Sequence, residues 1–183
     1  MASPESELLA AARSHAPDAW DLLLKRHQLP LYTYVAEMVG DRTAALDLVQ
    51  ETFARAIRHI GSLQDDAKFA SWLFSIAHQQ CLQHWRRTQR ERALFEEDDT
   101  ALDPAFADEP DPRALLIQRE QAEALFALVA RLPPAQRSAL LLHIVEDFPL
   151  DEIAAITGIP LGTVKSRLHH AKRALQTMIR HSP

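Results

Sequence analysis

The sequence predicts an all-α protein made of two small helical domains that are joined by an acidic, flexible linker. Apolar residues recur at spacings of three and four along most of the 183-residue chain, whereas period-two alternation between turn residues is absent. Residues 91–112 interrupt this pattern with three prolines and nine acidic side chains. Charge repulsion and proline both disfavour a helix there. We therefore expect residues 1–90 and 113–183 to form the two domains.

Eight stretches carry the apolar spacing of a helix, and residues that start or stop helices support their limits. Pro30 falls inside the second stretch and predicts a kink or a break, because proline lacks the amide hydrogen that a helix needs. Gly158 can adopt the left-handed conformation that ends a helix, and Pro160 is suited to the entry of the next one. The predicted helices lie near residues 4–14, 18–39, 42–60, 68–90, 114–131, 135–146, 150–157 and 161–180.

The composition argues against several classes of protein. Hydrophobic residues make up 47% of the chain, but no window is apolar for long enough to span a bilayer, and the first residues lack the basic start and apolar run of a secretory signal. A single cysteine, Cys81, excludes a disulfide framework and favours a reducing compartment, the cytoplasm. The four glycines form no phosphate-binding loop, so we expect neither a nucleotide enzyme nor a bound cofactor.

The charge is unevenly distributed along the chain. The net charge of −5 divides into 0 for residues 1–90, −8 for residues 91–112 and +3 for residues 113–183. The overall acidity argues against a protein that coats DNA without sequence preference. A local DNA-reading surface remains compatible with it, because salt screens the acidic segment beyond about 8–10 Å.

The segment from Leu150 to Leu168 has the pattern of a helix-turn-helix. A short helix ends at Gly158, and apolar residues on both sides of the turn, Ile153 and Val164 among them, can form one small core. The second helix of such a motif usually enters the DNA major groove. An ordinary helical hairpin with a solvated basic face is the alternative. The candidate DNA-binding residues of this helix are Thr163, Lys165, Ser166, Arg167, His169, His170 and Arg173.

The stretch LPPAQRSALLLHIVEDFPLDEIAAITGIPLGTVKSRLHHAKRAL, residues 132–175, resembles the promoter −35-binding domain of bacterial RNA polymerase sigma factors. The similarity is greatest to the extracytoplasmic-function (ECF) type. LuxR-type regulators share the helix-turn-helix in general form, so this segment alone leaves both families open.

The segment DLVQETFARA, which begins at Asp47, resembles the part of sigma factors that docks on the clamp helices of the polymerase largest subunit. Asp47, Gln50 and Glu51 follow the i, i+3, i+4 spacing, which places them together on one helix face. The opposite face carries an apolar stripe for burial, so a merely solubilising polar face is the alternative. The resemblance implies polymerase contacts by Asp47, Gln50, Glu51, Phe53 and Arg55.

The segment from Phe69 to Arg87 resembles the sigma-factor helix that captures and helps to melt the promoter −10 element. An exposed aromatic ring such as that of Phe74 could hold an unstacked base, which is worth about 1–3 kcal/mol. Phe69 is expected in the core, and Trp72 is expected to be partly buried. The implied −10 contacts are Lys68, Trp72, Phe74, His78, Gln79, Arg86 and Arg87.

Six positions depart from the usual family pattern, among them His169 and His170, where Arg or Lys or, at position 169, an aromatic residue is common. Leu46 replaces a common acidic residue, which makes the expected docking surface more apolar. Gln79 replaces an Asn that contacts the flipped base in many members, Gln83 stands where Asp is common, and His78 stands where Arg or Lys is common. These changes concern the promoter sequence that is read rather than the architecture.

The resemblance spans both modules and implies an ECF sigma factor, which is not an enzyme. The implied partners are core RNA polymerase, through its clamp helices and its flap, promoter DNA and an anti-sigma factor, without insertion into a membrane. A second reading is a sigma-like binding module that engages polymerase or an anti-sigma protein without initiating transcription.

Two further readings have weak support in the sequence. His78, Cys81 and His84 are residue types that bind metals, but two of them point to different sides of a straight helix and no fourth ligand is evident. We therefore expect no metal site. The carboxylates of residues 96–99 could suggest a hydrolase, but catalytic carboxylates need a fixed separation that a flexible run does not provide.

Overall fold

The computed structural model describes residues 4–14, 16–94 and 123–180, and the regular structure in these ranges is entirely helical. The all-α prediction is therefore confirmed. The expected linker lies largely outside the described residues. The helices are α1 (Pro4–Arg13), α2 (Pro17–Val39), α3 (Arg42–His59), α4 (Phe69–Leu94), α5 (123–130), α6 (Pro134–Val145), α7 (Leu150–Thr157) and α8 (Leu161–Arg180), with single 3-10 turns at Ile60–Ser62 and Asp66–Lys68.

Helices α1 to α4 form the N-terminal unit. Gly40, with φ of 75°, ends α2, and the side chain of Asp41 accepts a hydrogen bond of 3.0 Å from the amide of Ala44 to begin α3. Helix α2 continues through Pro30, so the expected break is wrong. Burial of the following turn, including Leu31 and Tyr34, offsets the roughly 3 kcal/mol that an interior proline costs.

The apolar stripe of α3 packs into the core of the N-terminal unit, as expected, except that Ile57 is exposed. The buried side chains of Gln80 on α4 and Thr52 on α3 share a hydrogen bond of 2.8 Å, which joins the two helices. The opposite face of α3, which carries Asp47 and Gln50, is exposed.

Helices α5 to α8 form the C-terminal unit, and α7 and α8 make the predicted helix-turn-helix. Gly158, with φ of 68°, ends α7 and donates its amide hydrogen to the carbonyl of Ala154 at 2.9 Å. Ile153, Val164 and Leu168 are buried between the helices. This packing fixes the direction in which α8 leaves the turn.

The two units pack directly against each other. Helix α4 contacts α7, and α2 contacts α6, so the buried side chains of both units form one continuous core. Within the described part of the chain, no helix is both long and apolar enough to cross a bilayer.

Candidate nucleic-acid interface

The outer face of α8 presents a row of basic and polar side chains. Its opposite face is buried against α6 and α7 through side chains such as Val164 and Leu175, which fixes the helix in place. Thr163 and Arg167 are half-buried. The exposed predicted residues are Lys165, Ser166, His169, His170 and Arg173. Cations and hydroxyl groups on one fixed helix can bind phosphates and base edges.

The polar patch on α3 is also accessible. Asp47 and Gln50 are exposed, and the carboxylate of Glu51 accepts hydrogen bonds from Arg55 Nε at 2.7 Å and from Arg58 at 3.3 Å. The bond from Arg55 lowers the pKa of Glu51. Leu46 beside them is 52% exposed, so the patch combines charge with an apolar side chain.

Phe53 does not belong to this patch. Its ring is buried in the core of the N-terminal unit, on the apolar stripe of α3. The burial of Phe53 contradicts its assignment as a polymerase contact in this structure, because position 53 lies about 120° around the helix from Asp47 and about 160° from Glu51.

The expected −10 residues divide between an exposed and a buried group. Lys68, Gln79, Arg86 and Arg87 are exposed, and Trp72 is half-buried. Phe69 lies in the core, as expected, whereas Phe74 and His78 are both buried. The seven side chains that were expected to contact the −10 element therefore do not form one open surface.

Phe74 is completely buried, so the expectation of an exposed ring is wrong for this arrangement of the two units. The ring of Phe148, from the C-terminal unit, lies edge-on with its centroid 5.2 Å from that of Phe74. The ring of Tyr34 lies 5.6 Å away. Phe74 is thus covered from both units.

His78 lies in a buried polar cluster that also spans both units. Its Nδ1 is 2.8 Å from the hydroxyl of Tyr34 and 3.2 Å from that of Ser138, and these two hydroxyls are 3.1 Å apart. Burial lowers the pKa of His78 to about 4, with a smaller contribution from the positive charge of Arg167. The imidazole is therefore neutral at neutral pH.

Two cations tie the units together around this cluster. Lys68 Nζ donates to Glu152 Oε1 on α7 at 2.6 Å. Arg137 on α6 donates to the carbonyls of Glu37 and Met38 on α2 at 3.4 Å each. Burial lowers the pKa of Arg137, although the charge of Glu37 opposes this shift.

In the described residues, no three His, Cys, Asp or Glu side chains are grouped to hold a metal ion. Cys81 is a free, buried thiol, and burial raises its pKa to about 12. The thiol stays protonated, which disfavours both metal binding and oxidation.

Sequence reasoning missed the residues of the C-terminal unit that cover α4, namely Ser138, Phe148 and Glu152. One signal was present, because Ser138 precedes the apolar run Ala139–Leu142 and is itself buried. A hydroxyl inside such a run needs a buried polar partner. The partners of Ser138, which are Tyr34 and His78, lie far from it in the sequence, so only the tertiary structure reveals them.

Two family models match the chain. The model of Sigma-70 region 2 matches residues 23–91, and that of Sigma-70, region 4 matches residues 122–175. These ranges coincide with most of the N-terminal and C-terminal units.

Characterised relatives match over most of the chain. ECF RNA polymerase sigma factor SigE of Mycolicibacterium smegmatis is 32% identical over 91% of this chain and 64% of its own length. RNA polymerase sigma-H factor of Pseudomonas aeruginosa is 30% identical over 90% of each chain. RNA polymerase sigma factor CarQ of Myxococcus xanthus is 31% identical over 91% of this chain and 92% of its own.

Solved structures share the fold. The sigma factor RpoE of Bartonella quintana, in complex with the anti-sigma factor NepR, matches with a TM-score of 0.70 and 23% identity, covering 89% of this chain and 98% of that one. CnrH, in complex with the cytosolic domain of CnrY, matches with a TM-score of 0.69 and 20% identity, covering 99% of this chain and all of that one.

Proposed function

Because the chain belongs to the ECF sigma factors of bacterial RNA polymerase, we propose that three helix faces carry its function: those of α3, α4 and α8. A sigma factor binds core polymerase and directs it to promoters, and it catalyses no reaction itself. The single observation that supports the assignment most strongly is the exposed basic face of α8 on a rigid helix-turn-helix.

The face of α8 reads the −35 duplex. Lys165 and Arg173 bind phosphates, and Thr163 and Ser166 lie in the first turns, where groove-entering helices place their base contacts. His169 and His170 follow on the exposed side of the helix. An imidazole ring is a weaker phosphate partner than the permanent cation of Arg or Lys.

The face of α4 captures the −10 strand. Gln79 offers an amide donor and acceptor to a base, and Arg86 and Arg87 add phosphate attraction towards the end of the helix. Lys68, Trp72, Phe74 and His78 complete this face once the C-terminal unit has moved away.

The α3 patch docks on the clamp helices of polymerase through Asp47, Gln50 and Glu51. Arg55 and Arg58 hold the Glu51 carboxylate in one orientation, and exposed Leu46 adds apolar contact area. The C-terminal unit engages the polymerase flap.

An anti-sigma protein is a further proposed partner, and the cytoplasm is the proposed compartment. The structural relatives are complexes with NepR and with the cytosolic domain of CnrY. In this chain an apolar groove between α2 and the C-terminal unit is lined by Leu29, Leu125 and Ile144, all exposed, and offers a surface for a partner helix.

A sigma-like module that binds polymerase without initiating is the second candidate. The burial of Phe74 and His78 favours it, because a chain that never uncovers them could not hold an unpaired −10 strand. The α3 patch of such a module would still bind polymerase.

Run-off transcription with purified core polymerase on a genomic fragment library tests the proposal. We expect initiation at a discrete set of promoters. Binding to polymerase without initiation at any fragment would select the second candidate. No association at micromolar concentration would reject the sigma-factor role and leave only a module that engages an anti-sigma protein.

The docking patch has its own test. The double variant Asp47→Ala, Glu51→Ala should lower the affinity for core polymerase about tenfold, equivalent to about 1.4 kcal/mol. The control Asp18→Ala, Asp21→Ala removes the same charge from exposed positions of α2. Equal affinities of the two double variants would contradict the assignment.

A further inference from the structure

We propose that Arg13, at the end of α1, is a positioning residue for the −10 site: it holds the loop of residues 61–68, which ends at Lys68 and leads into α4. We call residues 61–68 the entry loop. The proposal rests on the proposed role of α4 in reading the −10 element. Helix α1 lies ahead of residues 23–91, the range that matches region 2, so that match gives Arg13 no role.

Arg13 contacts the entry loop at two points. Its Nη2 donates a hydrogen bond of 2.5 Å to Oδ1 of Asp66 and a second one of 3.3 Å to the carbonyl oxygen of Leu63. The guanidinium group is planar, so its hydrogen atoms point in fixed directions. One nitrogen that binds both acceptors therefore fixes where the middle of the loop lies relative to α1.

Helix α1 is itself held in place, so its last residue can act as an anchor. The carbonyl of Ala12 accepts a hydrogen bond of 3.2 Å from Nε1 of Trp20 on α2. Near the other end of the helix, a carboxylate oxygen of Glu5 lies 3.1 Å from Nε2 of His27. The ring of His27 in turn packs edge-on against the first residue of α4, with 5.3 Å between the ring centroids. Helix α1 is thus tied both to α2 and, through His27, to the start of α4.

The entry loop is mostly exposed and is shaped by bonds within itself. Asp65 accepts hydrogen bonds of 3.0 Å from the amides of Ala67, through its side chain, and of Lys68, through its carbonyl. These bonds form the 3-10 turn but do not fix it relative to the helices. In the described part of the chain, the polar bonds from this loop to another helix are those of Arg13 and the pair of Lys68 with Glu152. Within the N-terminal unit, the position of the turn therefore depends on Arg13.

Arg13 also changes the charge beside Lys68. Asp65 and Asp66 place two carboxylates within three positions of Lys68, and both repel a phosphate that Lys68 attracts. The guanidinium group of Arg13 offsets the charge of Asp66 directly. A DNA strand that approaches Lys68 therefore meets a loop that is less negative than its sequence suggests.

An ion pair that only adds stability is the alternative explanation. The side chains of Arg13 and Asp66 are 31% and 26% exposed, and pairs of this kind contribute little to the free energy of unfolding. A cation at the end of α1 is also favourable for the helix, whatever its partner. The two explanations differ in what they predict for DNA, because only positioning makes −10 binding depend on the pair.

The test uses the full chain and a cycle of variants: Arg13→Ala, Asp66→Ala and the double variant. If Arg13 acts by holding Asp66, its removal should matter much less once Asp66 has been removed. Lys25→Ala is the control, because it also removes one cation from an exposed position of the N-terminal unit.

The hold on the loop is measured by amide hydrogen exchange with peptide mass spectrometry. In Arg13→Ala we expect residues 61–68 to exchange about three- to fivefold faster than in the wild type, and peptides of α3 to exchange at the wild-type rate. Lys25→Ala should match the wild type in both regions. An unchanged exchange rate of the loop in Arg13→Ala would overturn the positioning role.

The effect on DNA is measured with holoenzyme and two probes from the strongest promoter of the run-off library: a single-stranded oligonucleotide with its −10 element and a duplex with its −35 element. Arg13→Ala should bind the −10 strand about fivefold more weakly and the −35 duplex with unchanged affinity. In the Asp66→Ala background, the same substitution should weaken −10 binding by no more than about twofold. Equal weakening on both probes would indicate a general loss of stability and would overturn the proposal.

The outcomes separate this proposal from the one on which it rests. If the loop of Arg13→Ala exchanges faster but the wild-type holoenzyme initiates at no promoter, the sigma-factor role of α4 fails while the hold on the loop stands. If the wild type initiates and Arg13→Ala binds the −10 strand equally well, the role of α4 stands and Arg13 is not a positioning residue.

Discussion

His78 shows how a single residue type fits the contact between the two units. Its position corresponds to one where the family often has Arg or Lys, but here the side chain is buried between Tyr34 and Ser138. A permanent cation would lose its hydration there at a cost of several kcal/mol, whereas an imidazole can be buried in its neutral form. The histidine can therefore be buried at this position, which a permanent cation could not be without that cost.

Acid should destabilise the wild type more than His78→Gln. The pKa of His78 is depressed to about 4, so the neutral form contributes fully above the ordinary value of 6.5. That stability is lost as the pH falls from 6.5 towards 4, by up to roughly 2 kcal/mol at pH 5. Urea unfolding at pH 7 and pH 5 measures it.

The difference between the wild type and His78→Gln in the stability lost at low pH isolates the contribution of His78. Burial also lowers the pKa of His27 and raises the pKa of Glu37 and Glu146, but these groups titrate in both proteins and cancel in the difference. The same loss of stability in the wild type and in His78→Gln would contradict the assignment.

Lys165→Ala should weaken promoter binding by the holoenzyme about three- to tenfold and lower the salt slope of log affinity by about one unit. The physical reason is that one phosphate contact releases about one counterion. Lys25→Ala, on the exposed side of α2, is the control. Fluorescence anisotropy across a series of salt concentrations checks the slope, and an unchanged slope would remove Lys165 from the interface.

The sequence predicted which side chains of α8 are exposed better than it predicted which side chains of α4 are exposed. Lys165, His169 and Arg173 are exposed because the amphipathic pattern of one helix decides which side is buried. Phe74 is buried by Phe148, which is 74 residues away in the sequence, and no local pattern encodes that contact.

At Gly158, in the turn between α7 and α8, the constraint on the residue type comes from backbone conformation and not from space for a side chain. Gly158 has φ of 68°, and a Cβ atom added there would meet no atom within 4 Å. Any substitution cost at this position is therefore conformational. The turn sets the angle at which α8 presents its basic face.

Gly158→Ala and Gly162→Ala should change stability in opposite directions. Gly158→Ala should cost about 1–2 kcal/mol, because an L-residue is strained in the left-handed region. Gly162 lies inside α8 with open space around it, so Ala there should add about 0.5–1 kcal/mol. Chemical denaturation measures both, and a similar loss in both variants would contradict this account.

Some helix limits were predictable from local signals. The predicted limits of α7 and α8 coincide with those observed, and α3 starts at residue 42 as expected, where the Asp41 side chain caps it. The end of α4, at Leu94 rather than at residue 90, and the continuity of α2 through Pro30 were not predicted. Packing against neighbouring helices decides such cases.

The relation between the two units could not have been predicted from the sequence. The sequence indicated two helical domains and a linker, and it gave no sign that α6 and α7 would pack on α2 and α4. The decisive contacts join residues far apart in the chain, such as Tyr34 and Ser138, which are separated by 104 positions.

Small-angle X-ray scattering should report one compact body for the free wild type. A single packed body of 183 residues has a radius of gyration of about 16 Å. Ser138→Lys, which places a cation in the buried cluster with His78, should give a clearly larger radius than Ala135→Lys, in which the same charge is exposed on the same helix. A wild-type radius as large as that of Ser138→Lys would mean that the units are already apart.

The pairing of Phe74 with Phe148 also bears on how the chain survives before it is used. Exposed aromatic rings add apolar surface that promotes association between chains in water. Because each ring covers the other, the packed chain presents less of that surface, and a chain whose two units separate should aggregate more readily.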